Sequence, residues 1–169
     1  VGVPVGQVED ALNAVAKDLR PDVVVMDMAP VKETVMSWAK ELLPTNTHYI
    51  GLVPVINPTY LQTHEGSTEA AHADLFQNGL MAIVSGRGTP SEAIKLAADL
   101  SQLLGAEHLF IDPVEVDSMM SATHLLPELM AAALLNATVD QPGWREARML
   151  TGRPFAEAAG PAVLFDQNA

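Results

Sequence analysis

The sequence predicts part of a parallel α/β sheet followed by an all-helical unit. Short apolar, β-rich runs alternate with segments of helical period up to about Asp112, and from Pro113 onward the pattern is helical alone. With 169 residues, 49% of them hydrophobic, the chain can bury one sizeable core or two small ones. The expected division is an α/β domain over 1–112 and a helical domain over 113–169.

The elements follow in order. Val1 to Val5 reads as a buried strand ending at Gly6 and Gln7, so the chain is expected to begin in mid-fold. Val8, Ala11, Leu12, Val15, Ala16 and Leu19 keep helical spacing until Pro21 closes the element. Val23 to Met26 is an uninterrupted apolar run ending at Asp27, the pattern of a parallel strand buried on both faces. Pro30, at an expected first helical position, opens a helix to Leu43, and His48 to Val55 forms the next strand. The aperiodic stretch from Asn57 to Ser67 reads as a loop, and Thr68 to Phe76 as a short helix. Leu80 to Ser85 is a strand. Thr89, Pro90 and Glu92 supply an N-cap, an N1 proline and an N3 glutamate for a helix ending at Gly105. Leu109 to Ile111 is the last strand, and the helices that follow break near Pro142 and Gly143. In a parallel sheet, ligands bind outside the carboxyl ends of the strands, so Asp27, the Val53–Asn57 turn and Ser85–Gly88 are expected to lie together.

The longest apolar pattern spans Asp117 to Asn136. Met119, Met120, Ala122, Leu125, Leu126, Leu129, Met130, Ala133 and Leu134 recur at threes and fours, predicting a buried helix. Pro127 lacks an N–H, so the carbonyl of Thr123 loses its helical partner and His124 stands beside a break. Two readings are open on local features: a core histidine beside a tolerated proline, or the wall of a ligand site.

Composition removes several classes of function. The formal net charge of −12 argues against general attraction to nucleic acid, which is driven by phosphate neutralisation. An anionic ligand therefore needs a local basic pocket, and Arg145, Arg148 and Arg153 place three of the nine basic residues in one short segment. The absence of cysteine excludes disulfides, thiolate metal sites and a cysteine nucleophile. No apolar run approaches the roughly 18 to 20 residues that span a bilayer, and the opening residues lack a basic signal-peptide region. The expected location is cytoplasmic.

Local motifs are weak taken singly. Gly86, Gly88 and Ser91 nearly satisfy G-x-G-x-x-G, but the third glycine is missing and Pro90 removes a donor from the turn, so a turn with a helix cap is the favoured reading. The five histidines lack metal-ligand spacing, and His64 and His72, flanking Glu65 and Glu69, read as surface or loop residues. Asp27 to Glu33 puts a carboxylate and Lys32 at a strand–helix turn, for which a solvated turn is the simpler reading. Arg148 and its neighbours fit either a bidentate clamp on an anionic ligand or caps on helix carbonyls.

Together these stretches resemble prephenate dehydrogenases, the NAD(P)-dependent enzymes of tyrosine biosynthesis. Val3-Pro4-Val5 is similar to the family's apolar-Pro-Val strand end, Asp27 to Lys32 to its D-x-G-S-V-K, and Gly51 to Val55 to its G-G-H-P-M. Ala70 to Phe76 resembles the acidic-Leu-Phe helix, and Leu104-Gly105-Ala106 the LGA turn. Val116 to Pro127 resembles H-D-x-x-x-A-x-x-S-H-L-P, and Arg145 to Pro154 the late arginine segment. The resemblance implies a Rossmann-like domain, here without its first βαβ unit and G-x-G-x-x-G loop, and a helical domain that dimerises, with the active site between them.

From the resemblance, His124 is the catalytic candidate, and Arg148, Arg145 and Thr123 are the substrate-binding ones. Asp27, Lys32 and Pro4 are candidates on the cofactor side. The cofactor is NAD or NADP, the partner a small anionic aromatic-pathway metabolite, and the assembly a homodimer, with no nucleic acid and no membrane. Val53 stands where the family has the histidine that meets the substrate hydroxyl, and Pro30 where it has the motif serine. One residue is added between His124 and Pro127, which rotates the histidine by about 100° relative to the kink. The implied activity is oxidative decarboxylation of prephenate or a related acid, impaired by these changes. A non-catalytic dimerising or metabolite-sensing relative is the alternative.

Overall fold

The structure is a computed structural model that describes residues 1–61, 71–139 and 141–163. The chain forms two compact units, Val1–Asp117 and Ser118–Ala169. Among the described residues, no helix is long and apolar enough to cross a membrane.

The first unit is built on a four-stranded sheet, β1 (Val24–Asp27), β2 (His48–Val55), β3 (Leu80–Ser85) and β4 (Glu107–Phe110), in that spatial order. Helices α1 (Val8–Ala16) and α2 (Glu33–Leu42) cover one face, where Val8, Leu12, Val35 and Ala39 pack with Val25. On the other face, α3 (Ser91–Leu103) packs Ala93 and Ala97 against Ile50, Leu52, Met81 and Ile83. Side chains alternate along each strand, so Val25 and Asp27 of β1 share the α1–α2 face while Val24 and Met26 meet the α3 side. β2 and β3 are central, and β4 is an edge strand with Leu109 and Phe110 exposed.

The sheet is mixed, which corrects the parallel reading. β1 pairs with β2 and β3 with β4 in parallel, but β2 and β3 are antiparallel, with Ile50 opposite Ser85 and Val55 opposite Leu80. A continuous apolar run shows that a strand is buried on both faces and says nothing of its direction. The reversal separates turns expected together: Ser85–Gly88 falls beside the start of β2, and the Val53–Asn57 turn lies at the opposite end.

Four further expectations are revised. Val1 to Val5 is not a strand. Val1 alone makes ladder-type bonds to β1, its amino group donating to the Met26 carbonyl and its carbonyl accepting from the Met28 N–H, before a 3₁₀ turn at Val5–Gln7 takes the chain away. Val1 and Val3 are apolar because they pack on the α1–α2 core. The second helix starts at Glu33, since Pro30 lies in the bend ahead of it. Helix α3 starts at Ser91 with no side-chain cap, because the Thr89 hydroxyl donates to the Gly86 carbonyl instead. Residues 71–72 are irregular and 73–76 form turns rather than the end of a helix, whereas residues 62–70, with His64, Glu65 and Glu69, lie outside the described residues.

The second unit follows α4 (Pro113–Met120), a π-helical turn at Ser121–Leu125, α5 (Leu126–Thr138), α6 (Trp144–Leu150) and α7 (Arg153–Val163). The break expected from Pro127 is the π turn, which inserts a residue into the helical ladder just ahead of the proline. Gly143, in the left-handed region at φ 86°, makes the break before α6. Helices α5 and α7 pack through Ala131 and Ala159, and Trp144 and Phe155 join α6 to α7 with ring centroids 5.7 Å apart.

The apolar stripe is helical as expected but not buried within the chain. Met119, Leu125, Leu126, Leu129 and Met130 are 45–65% exposed. Helical period shows that a face needs cover, and does not show that the same chain supplies it.

Candidate functional site

The most unusual chemistry in the first unit lies at the carboxyl end of β1. Asp27 and Lys32 are both 0% exposed, and Lys32 Nζ donates to Asp27 Oδ1 over 2.9 Å. The same oxygen accepts from the Ala29 N–H at 2.8 Å, which closes the turn out of the strand. The second carboxylate oxygen, Oδ2, accepts a hydrogen bond from the Tyr49 hydroxyl on β2. Each group thus meets a partner, and the two charged side chains are closed to water, as buried charge requires.

Gly51 makes this arrangement possible. It sits opposite Asp27 in the β1–β2 ladder, and a Cβ there would lie 2.7 Å from Lys32 Cδ and 3.3 Å from the Tyr49 hydroxyl oxygen. The lysine stem crosses the sheet in the space that a side chain at 51 would fill. Asp117 completes the cluster from α4. Its Oδ1 accepts from the Lys32 N–H at 2.6 Å and its Oδ2 from the Glu33 N–H at 2.9 Å, so a carboxylate 85 residues away caps the start of α2.

Burial lowers the Lys32 ammonium from its ordinary 10.5, opposed first by the charge and hydrogen bond of Asp27 and then by the charge of Asp117. Burial raises the Tyr49 phenol well above its ordinary 10.0, reinforced by the Asp27 charge, the hydrogen bond to it and the Asp117 charge. The phenol therefore stays neutral and donates.

The sequence candidates divide between the units. In the first, Asp27 and Lys32 are brought together but their side chains are spent on one another and on Tyr49, while Pro4 is exposed ahead of its 3₁₀ turn. Val53 is buried in β2 at 4% exposure, and Pro30 is exposed in the turn after β1. In the second unit, Thr123 and His124 are exposed on the π turn. The Thr123 hydroxyl donates to the Met119 carbonyl at 2.8 Å and lies 2.9 Å from His124 Nδ1. A hydroxyl has one proton, so with it committed to Met119 a neutral ring donates from Nδ1 and keeps Nε2 as an acceptor. Arg145 and Arg148 are exposed on α6, and Arg153 pairs with Glu157 at 2.6 Å. Among the described residues no hydrogen bond or ion pair joins His124 to either arginine of α6, and no group of three or more histidines and carboxylates is placed to hold a metal.

Tyr49, Gly51 and the capping role of Asp117 were missed in the sequence. The available signal was strand alternation, which puts Tyr49 and Gly51 on the same face of β2 as Asp27 on β1.

A model of the prephenate dehydrogenase nucleotide-binding domain matches residues 1–109. The chain belongs to the prephenate dehydrogenase family. A curated relative, the prephenate dehydrogenase of Bacillus subtilis, is 24% identical over 139 residues, covering 82% of this chain and 36% of the relative. The chain thus spans about a third of that protein's length. The first unit and its helical continuation also follow solved structures of the family. Synechocystis arogenate dehydrogenase superposes with a TM-score of 0.75 at 20% identity over 95% of this chain and 56% of that one. Aquifex aeolicus prephenate dehydrogenase, solved in complex with hydroxyphenyl propionate and NAD+, gives 0.72 at 17% identity over 99% and 60%. At such identities the structures establish the Rossmann-like fold, and family membership makes the chain an oxidoreductase relative with a nucleotide-binding domain.

The shifted phenol sets a pH dependence. Because the folded-state value of Tyr49 lies above the unfolded one, its contribution is fully present below 10.0 and is lost as pH rises beyond it. Lys32 acts in the opposite sense: its folded value is depressed, so stability gains as pH rises toward 10.5. Urea unfolding midpoints above pH 10.0 are expected to fall less steeply for Tyr49→Phe than for the native chain, and equal slopes would show that the phenol does not titrate on unfolding.

Proposed function

We propose that the chain is part of an NAD(P)-dependent dehydrogenase acting on prephenate or a closely related acid such as arogenate, in tyrosine biosynthesis. The match of residues 1–109 to the family's nucleotide-binding domain carries this reading. In its support, an Aquifex relative was solved with NAD+ and an aromatic acid.

The described residues offer only part of a dinucleotide site. Met28 and Val31, both over a third exposed, provide an apolar surface beyond β1, but no glycine-rich phosphate turn follows β1. The phosphates are therefore not assigned to this chain's residues, and no step is derived through the cofactor. Asp27 and Lys32 serve the cofactor side from behind, as buried positioning residues that fix the turn through Pro30, and Pro4 flanks the same unit.

In the helical unit, Arg148 and Arg145 hold a substrate carboxylate, which suits guanidinium geometry. Thr123 fixes the His124 ring so that Nε2 is kept as an acceptor for a substrate hydroxyl. The reaction needs a group to take the hydroxyl proton while carbon dioxide leaves, and Val53 at the family's histidine position can accept nothing. A positioned general base contributes about 10² to 10⁴ in rate, so turnover is impaired by roughly that factor.

The test follows NADH or NADPH formation with prephenate and arogenate, together with calorimetric binding of both acids. Weak turnover is expected, with binding weakened by Arg148→Ala and turnover lowered further by His124→Ala. The absence of both binding and turnover would overturn the proposal. Binding without any turnover supports the second reading, a metabolite-sensing relative, which the buried Val53 and the exposed Pro30 favour.

The exposed apolar face is assigned to a homodimer contact. Met119, Leu125, Leu126, Leu129 and Met130 form a continuous stripe that water leaves unsatisfied. Light scattering at micromolar concentration is expected to give twice the chain mass, and Leu129→Glu the single mass. A native monomer contradicts the assignment.

A further inference from the structure

The turn Gly86–Thr89 was set aside as a dinucleotide loop, and the antiparallel course of β3 carries it away from the carboxyl ends of β1 and β2. There it forms one wall of an open cleft of about 800 Å³ that runs along α2 to Leu43 and Pro44 just beyond it and reaches His48 and Tyr49. This volume lies in the range of small-molecule sites. None of Asp27, Lys32, Val53, His124, Arg145 or Arg148 lines it.

The cleft lining is of two kinds. Met36, Ala39, Leu43 and Pro44 give it an apolar wall on the α2 side. The same lining includes Lys40, from the last turn of α2, and Arg87, from the turn after β3. Among the described residues neither cation has a carboxylate partner, although the chain carries twelve more acidic than basic residues. The backbone N–H groups of Arg87 and Gly88 likewise donate to no protein group, because the turn is closed by the Thr89 N–H and hydroxyl on the Gly86 carbonyl. The hydroxyls of Ser37, Thr47 and Thr89 are engaged with Glu41, Pro44 and Gly86 and are not the open donors. Glu33 is the one carboxylate in the lining, at the far end of α2 from Lys40. Two cations and two free amides that share one cleft with apolar side chains suit a ligand with one anionic group and an apolar body.

We propose that this cleft binds a small organic carboxylate, its anionic group held by Arg87, Lys40 and the amides of Arg87 and Gly88, and its apolar body laid on Met36 and Leu43. The site is separate from the one proposed for the dehydrogenase substrate.

The test is an amide-resolved NMR titration of the full chain at constant ionic strength, with sodium benzoate as anion plus apolar body and inorganic phosphate as anion alone. Benzoate is expected to shift the Arg87, Gly88 and Thr89 amides saturably, and phosphate to shift the same amides with weaker affinity. Lys40→Ala with Arg87→Ala is expected to weaken both by about tenfold. The rest of the spectrum reports whether that variant is folded, and Met36→Gln, which keeps both charges, is expected to weaken benzoate alone. The proposal is overturned if neither probe saturates, if phosphate binds as tightly as benzoate, if the folded double variant binds unchanged, or if the shifts fall on Arg145 and Arg148 instead. Because the readout is binding at named amides, its failure leaves the dehydrogenase reading untouched, and the absence of dehydrogenase activity leaves it standing.

Discussion

A lysine ammonium buried against an aspartate carboxylate is the constraint from which the first unit is best understood. Removing both charges from water is costly, and the attraction between them offsets that cost only if every remaining lone pair and proton finds a partner. Among the described residues no buried side-chain polar atom is left without a partner, and each neighbouring element contributes: the Ala29 amide from the turn, the Tyr49 hydroxyl from β2, and the missing Cβ of Gly51 where the lysine stem must pass. Asp117 then holds the backbone of Lys32 itself, tying the first turn of α2 to a helix 85 residues later. The turn carrying Met28 to Val31, the part of this unit proposed to face a cofactor, is thereby fixed at both ends.

Much of the α/β architecture was legible because burial leaves a mark on composition. Val23 to Met26 and Leu80 to Ser85 read as buried strands, and the spacing of Val8, Leu12 and Val15 as a helix face turned to a core; all but Val23 lie in an element of that type. Strand direction was not legible, since Leu80 to Ser85 reads the same in either sense. The cost of that gap was functional, because it placed Ser85–Gly88 at the wrong end of the sheet.

The site was legible in its residues and not in their roles. Lys32 in a turn reads as a solvated charge, since lysine is almost never fully buried unless paired, and only a three-dimensional partner set shows otherwise. Gly51 gives no local reason for being glycine; the reason is a side chain 19 residues earlier that crosses over it. The Pro127 break could be read from chemistry alone, because a missing N–H has to be accommodated, and it is accommodated as a π turn that presents Thr123 and His124. The apolar stripe beside it was visible as a stripe, while its exposure depends on what stands opposite, which one sequence does not contain.

The central claim, that Asp27 and Lys32 form a mutually dependent buried pair on which the turn after β1 rests, is most directly tested by a double-mutant cycle read by denaturant unfolding. Asp27→Ala and Lys32→Met are each expected to destabilise the chain by about 3–5 kcal/mol, since each strands a buried charge, and the double variant by clearly less than the sum. Additive losses would mean that the two side chains do not depend on one another, and would contradict the account.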